Sequence, residues 1–186
     1  MKPLQPSDLL IAPPRMPDRR FRGCVLVVTH TTTSGAFALC VNRTTEHTLK
    51  DVIADTGVDP IINYPLYWGG PVSPSTVWML HSNEWVSDGT VIINNKWAMT
   101  SNLEMFRALG MGKCPQHFRL MIGHCSWAPG QLEMELSGEG PWRPEHSWLV
   151  TKNPGPAWVM EQEDRLLWET STTLCSHQAV DSWFNV

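Results

Sequence analysis

Two early runs, Cys24-Val25-Leu26-Val27-Val28-Thr29-His30 and Ala36-Phe37-Ala38-Leu39-Cys40-Val41, are apolar almost throughout and show no polar alternation. Such runs read as strands buried on both faces, and the five-residue spacer over 31–35 predicts that they form a hairpin. Ahead of them lie Pro3, Pro6, Pro13, Pro14 and Pro17. That spacing excludes a long helix and predicts an extended arm over residues 1–8, followed by a short strand over 9–12. Thr48 then opens a short helix that turns Leu49, Val52 and Ile53 inward, with Gly57 just beyond its end. Further strands are predicted over 67–68, 76–81, 90–93 and 96–100, the last two joined by a tight turn at Asn94-Asn95. Ser101-Asn102-Leu103-Glu104 has the pattern of a capping box, heading a helix that buries Leu103 and Phe106 and stops near Gly110. A strand over 118–123 precedes Pro129, which suits the first position of a helix whose inner face carries Leu132 and Leu136. A late strand over 148–151 and helical stretches over 164–168 and 177–184 complete the chain. Strands and helices mix without a regular βαβ rhythm, so the predicted class is α+β.

Length and charge narrow the picture. At 186 residues the chain suits one domain over 1–186, and 42% hydrophobic content excludes intrinsic disorder. The net charge of −4 supplies no basic field for nucleic acid, and Arg15, Arg19, Arg20 and Arg22 form the one local basic cluster. The first residues carry no apolar stretch behind a basic start, and no run approaches a membrane span. A cytoplasmic protein is therefore expected, with its five cysteines reduced. The ten tryptophans are expected mostly in the core, each needing a partner for its indole N–H.

Candidate chemistry is sparse. Gly123-His124-Cys125-Ser126-Trp127 has the outline of a nucleophile elbow, but that turn needs glycine two positions after the nucleophile, where Trp127 stands. Cys125 is left as the one catalytic candidate, an activated thiol beside His124, although neighbours on a strand face opposite sides. Cys114, His117, His124 and Cys125 resemble a zinc set that adjacent His124 and Cys125 would struggle to close, so neither metal nor cofactor is expected. Gly69-Gly70-Pro71-Val72 can present backbone N–H groups to an anion or serve as a tight strand connection.

Several segments, in order, share the pattern of a known family. They are Leu10-Ile11-Ala12-Pro13 with Met16, Asp18 and Phe21; His30 with Gly35-Ala36; Val41-Asn42-Arg43; Gly69-Gly70-Pro71-Val72; Leu80-His81; and Thr100-Ser101. The most distinctive is Trp127-Ala128-Pro129-Gly130-Gln131-Leu132-Glu133-Met134-Glu135, trailed by Trp142, and together these segments resemble the YqgE/AlgH family. Thr44, where the family usually has proline, and His124-Cys125-Ser126 depart from the pattern. The resemblance implies a bifurcated, mostly antiparallel sheet curled into a pseudo-barrel with flanking helices, in proteins without an established activity. It also points to a groove lined by Asn42, Arg43, Gly69, Gly70, His81, Gln131 and Glu133. Arg43 would clamp an anion there or pair internally with a glutamate. The expected function is a non-enzymatic module with a regulatory role that binds a small ligand or a protein. The alternatives are a hydrolase or transferase using Cys125 with His81 and Gln131 in one pocket, and a DNA-associated transcriptional regulator. Neither nucleic acid nor membrane is an expected partner.

Overall fold

The computed structural model describes residues 4–138 and 143–184, with side chains to residue 178. Trp142 lies outside these residues. One ten-stranded sheet organises the described residues. Its strands are β1 (Leu9–Ile11), β2 (Val25–Thr32), β3 (Gly35–Cys40), β4 (Thr44–Thr48), β5 (Pro65–Trp68), β6 (Val72–Ser82), β7 (Val91–Ile92), β8 (Trp97–Thr100), β9 (Phe118–Trp127) and β10 (Leu149–Thr151). Among the described residues five α-helices flank it: α1 (Leu49–Ile53), α2 (Leu103–Gly110), α3 (Gln131–Ser137), α4 (Pro156–Met160) and α5 (Asp164–Phe184). The strand order is β10-β1-β2-β3-β9-β6-β8-β7, with β4 and β5 branching from β9. The sheet is mostly antiparallel and curls into half a barrel.

The hairpin of β2 and β3 forms as predicted, with Leu26 opposite Cys40 and Val28 opposite Ala38. Its apolar runs are continuous because both faces are covered. Leu26, Val28, Ala38 and Cys40 pack with Trp127 and Leu132 on one side. Val25, Val27, Leu39 and Val41 pack on the other with Val159 of α4 and Leu167 of α5. A further core joins Leu49 and Ile53 of α1, Met105 and Leu109 of α2, and Leu66, Met79 and Leu120 of the sheet.

The sheet forks along β9. Beside residues 120–122 the neighbour is β5, running parallel, with Leu66 opposite Leu120 and Trp68 opposite Ile122. Beside residues 125–127 it is β3, antiparallel, with Ala38 opposite Cys125. The handover occurs at Gly69, whose N–H donates to Ile122 O at 2.8 Å while its carbonyl accepts from Cys40 N at 2.9 Å. Three backbones meet there, and a Cβ on Gly69 or Gly70 would lie under 3.0 Å from the Gly123 or His124 backbone. The tight-connection reading of the Gly-Gly pair therefore accounts for it. Opposite the fork, Val72 pairs with His124 and Val77 with Ile122, so the intervening residues of β6 bulge outward.

Several local expectations are corrected. Residues 4–8 are a turn, not an extended arm: Asp8 N donates to Gln5 O, Ser7 N donates to Val28 O, and Leu4 packs on the core. The arm's first three residues lie outside the described ones. The α2 cap is Asn102, whose Oδ1 accepts from Met105 N at 2.8 Å, while Ser101 Oγ donates to Val77 O. That helix buries Met105 and Leu109, and Leu103 is 45% exposed. Pro129 precedes α3 and its Gly130 cap. The two predicted C-terminal helical stretches are one helix, α5.

Candidate functional site

Immediately past the fork, the end of β9 and the start of α3 face the short 3-10 turn Arg19–Phe21 across a cleft of about 220 Å3. Its lining includes Asp18, Arg20, Ser126, Trp127, Gln131, Glu135 and Trp148. β9 supplies Ser126 and Trp127 in consecutive positions, and α3 adds Gln131 and Glu135, which fall on one helix face because they are four residues apart.

Glu135 is 4% exposed. One carboxylate oxygen accepts the indole N–H of Trp127 at 3.0 Å and of Trp148 at 2.9 Å. The other accepts Gln131 Nε2 at 3.0 Å. Gln131 in turn closes the strand-to-helix corner, its Oε1 accepting from Ala128 N at 3.0 Å. The carboxylate thus fixes two tryptophans thirteen and eight residues away, satisfying indole donors that burial would otherwise orphan. Phe21 extends this wall edge-on to Trp148, with ring centroids 5.6 Å apart. On the opposite rim Asp18 caps the 3-10 turn, accepting from Arg20 N at 2.9 Å, and pairs with the Arg20 guanidinium at 2.7 Å. Hydrogen bonds from that side chain hold the Asp18 carboxyl below its ordinary value.

Of the residues assigned to the expected groove only Gln131 lines this cleft, joined by the nucleophile candidate Cys125 and by Arg20 of the basic cluster. Gly69 and Gly70 form the fork beside it. Asn42 is a backbone staple: its Oδ1 accepts from Val25 N and its Nδ2 donates to Gly23 O, each at 2.8 Å. Arg43 is also structural. It donates to the carbonyls of Arg20 and Arg22, lies over the Trp68 ring at 5.4 Å, and pairs with no glutamate among the described residues. Glu133 is exposed, on the far side of α3 from Glu135. His81 is fully buried, its ring nitrogens bonded to Ser82 O and Thr100 Oγ1, and burial pushes its pKa below the ordinary imidazole value. It lies opposite Phe118, whereas Cys125 lies seven residues further along β9, about 23 Å at the rise of an extended strand. His81 and Cys125 therefore share no pocket.

Cys125 is not placed as an activated thiol. It is 2% exposed, it donates to Gly69 O, and burial pushes its pKa well above the ordinary value. His124 faces away and stacks on Phe37 at 4.2 Å. The zinc reading fails on the same strand: Cys114 and His117 lie before β9 and His124 and Cys125 near its end. Among the described residues no cluster of His, Cys, Asp and Glu could hold a metal. In native protein, iodoacetamide is expected to label exposed Cys114 first and Cys125 roughly tenfold or more slower than free cysteine, because only the thiolate reacts. Peptide mapping of a time course measures this, and labelling of Cys125 at the free rate would overturn the placement.

The expected groove omits Glu135, although the distinctive motif contains it. Its signal was the four-residue step from Gln131, in phase with inward-facing Leu132 and Leu136 rather than with Glu133.

Comparison with known proteins matches this frame. Residues 9–179 fit the family model described as AlgH-like. A UPF0301 protein of Bartonella tribocorum is 29% identical over 177 residues, covering 90% of this chain and 87% of its own. One from Sphingopyxis alaskensis is 32% identical over 167 residues, covering 88% and 81%. The solution structure of AlgH from Pseudomonas aeruginosa superposes with a TM-score of 0.73 at 25% identity, covering 94% of this chain and 92% of that one. Among the described residues no helix is long and apolar enough to cross a membrane. With the match running from β1 into α5, and so through the forked sheet and the Trp127–Glu135 corner, the chain belongs to the AlgH-like family.

Proposed function

We propose that this chain is a non-enzymatic binding module with a regulatory role, taking a small polar ligand in the cleft between α3 and the Arg19–Phe21 turn. The observation that carries this reading is the Glu135 network. A buried carboxylate held by two indoles and a carboxamide is a preorganised polar group at the base of an aromatic-walled cleft, the composition of a small-molecule site. At about 220 Å3 the cleft suits a head group rather than a large cofactor. Among the described residues no nucleophile with an adjacent base lines it, which favours binding over turnover. The five free cysteines fit a reducing compartment, so the proposal places the protein in the cytoplasm.

Indole N–H resonances of Trp127 and Trp148 report on the cleft directly. Titration of a set of polar metabolites is expected to shift both, saturably, for at least one compound, and Gln131→Ala is expected to weaken that compound's binding roughly tenfold. A set spanning cations, anions and neutral compounds that moves neither indole sinks the reading.

A further inference from the structure

Glu135 carries an imbalance. All three of its partners are N–H donors with no lone pair to offer, the complement of an ionised carboxylate. No Lys, Arg or His among the described residues pairs with it, and the one cation lining the cleft, Arg20, is neutralised by Asp18. Neutral donors recover only part of the cost of burying a charge. A carboxylate offers about four acceptor positions, of which three are filled here, and the side chain still lines the cleft. Aromatic rings at and beside the cleft already carry guanidinium groups: Arg20, on the rim, lies 5.8 Å over Phe21, and Arg43 lies 5.4 Å over Trp68, which is outside the lining.

From these features we infer that the cleft takes a small organic cation, an alkylammonium or alkylguanidinium. Its charged head would fill the remaining acceptor position of Glu135, and its stem would lie along Trp127, Trp148 and Phe21. This rests on the binding-module reading and adds the ligand's charge to it. An anionic ligand would meet two carboxylates and a single, already paired arginine.

Four matched probes test the sign of the ligand: n-butylguanidinium, n-butylammonium, the neutral isostere N-butylurea, and butyrate. Each is titrated into the full chain while the Trp127 and Trp148 indole resonances are followed. Saturable shifts are expected with both cations and weaken as salt is raised, while N-butylurea and butyrate bind at least tenfold more weakly. Glu135→Gln, checked for its fold by circular dichroism, is expected to lose at least tenfold of the cation affinity and none of any residual urea affinity. Should that variant not fold, the comparison of isosteres on the native chain decides alone. N-butylurea or butyrate binding as tightly as the cations overturns the inference and leaves the cleft as a binding site for other chemistry. Silence from both cations also overturns it, and the metabolite titration then reports separately on the binding-module reading.

Discussion

Gly70→Ala is expected to leave no stably folded protein. The added methyl would sit under 3.0 Å from the His124 carbonyl carbon and oxygen and from Cys125 N, all of them backbone. No side-chain rotation can relieve such a clash, and moving β9 there breaks the handover from β5 to β3 that Gly69 makes with Cys40 and Ile122. The expected loss exceeds about 4 kcal/mol, a large share of the roughly 5–15 kcal/mol that holds a domain folded. Gly57→Ala is the matched control. Its φ is +73°, but nothing lies within 4 Å of the added carbon, so only the left-handed backbone penalty of about 1–2 kcal/mol applies. Urea denaturation of both variants separates collision from conformation. A Gly70→Ala protein within about 1 kcal/mol of Gly57→Ala would mean that β9 can shift at the fork.

That fork shows where local pattern stops informing. The hairpin of β2 and β3, the short α1 with its Thr48 cap and the strands β5, β6 and β8 were legible because their apolar residues are continuous or periodic. Thr44-Thr45-Glu46-His47-Thr48 was not, because β4 has no buried residue and pairs only with β5 at the branch. In α2 Phe106 packs on the core as expected, but Leu103 does not: tertiary placement turned Met105 and Leu109 inward, a choice that propensity does not contain. The cleft divides in the same way. Gln131 and Glu135 lie on one helix face by arithmetic, so half of the site was readable in principle. Trp148, and Asp18 with Arg20, reach it only through the path of the sheet, which no spacing along the chain records. Arg43 and His81 misled because their residue types are common at sites, whereas half-buried Arg43 is engaged by backbone carbonyls and His81 is buried with both ring nitrogens paired.

Arg119→Ala is expected to cost about 3–5 kcal/mol, the range for stripping one partner from a buried ionic cluster. The Arg119 side chain is 5% exposed and pairs with Asp164 Oδ1 at 2.7 Å. It also donates to Val41 O, Met160 O at 3.3 Å, and Val159 O and Gln162 O at 3.4 Å, and lies 4.7 Å over the Tyr67 ring. Val159 and Met160 end α4, so their carbonyls are among those a helix leaves unsatisfied, and one guanidinium serves both them and the start of α5. Asp164 matters less on its own, being partly exposed and favourably sited in the first turn of α5. Asp164→Asn strips the counter-ion from the buried guanidinium but leaves its four carbonyl acceptors, and should cost about 1–2 kcal/mol. Arg119→Lys keeps the charge but cannot reach several carbonyls at once, and should cost about 1–3 kcal/mol, less than the alanine variant. Limited proteolysis adds a readout that global stability does not. In Arg119→Ala, cleavage near residues 161–163 should precede loss of the sheet, because the α4–α5 corner is what the guanidinium ties to β9. An alanine variant that loses less than about 1 kcal/mol and resists cleavage there would show that Val159 and Leu167 dock the C-terminal helices unaided.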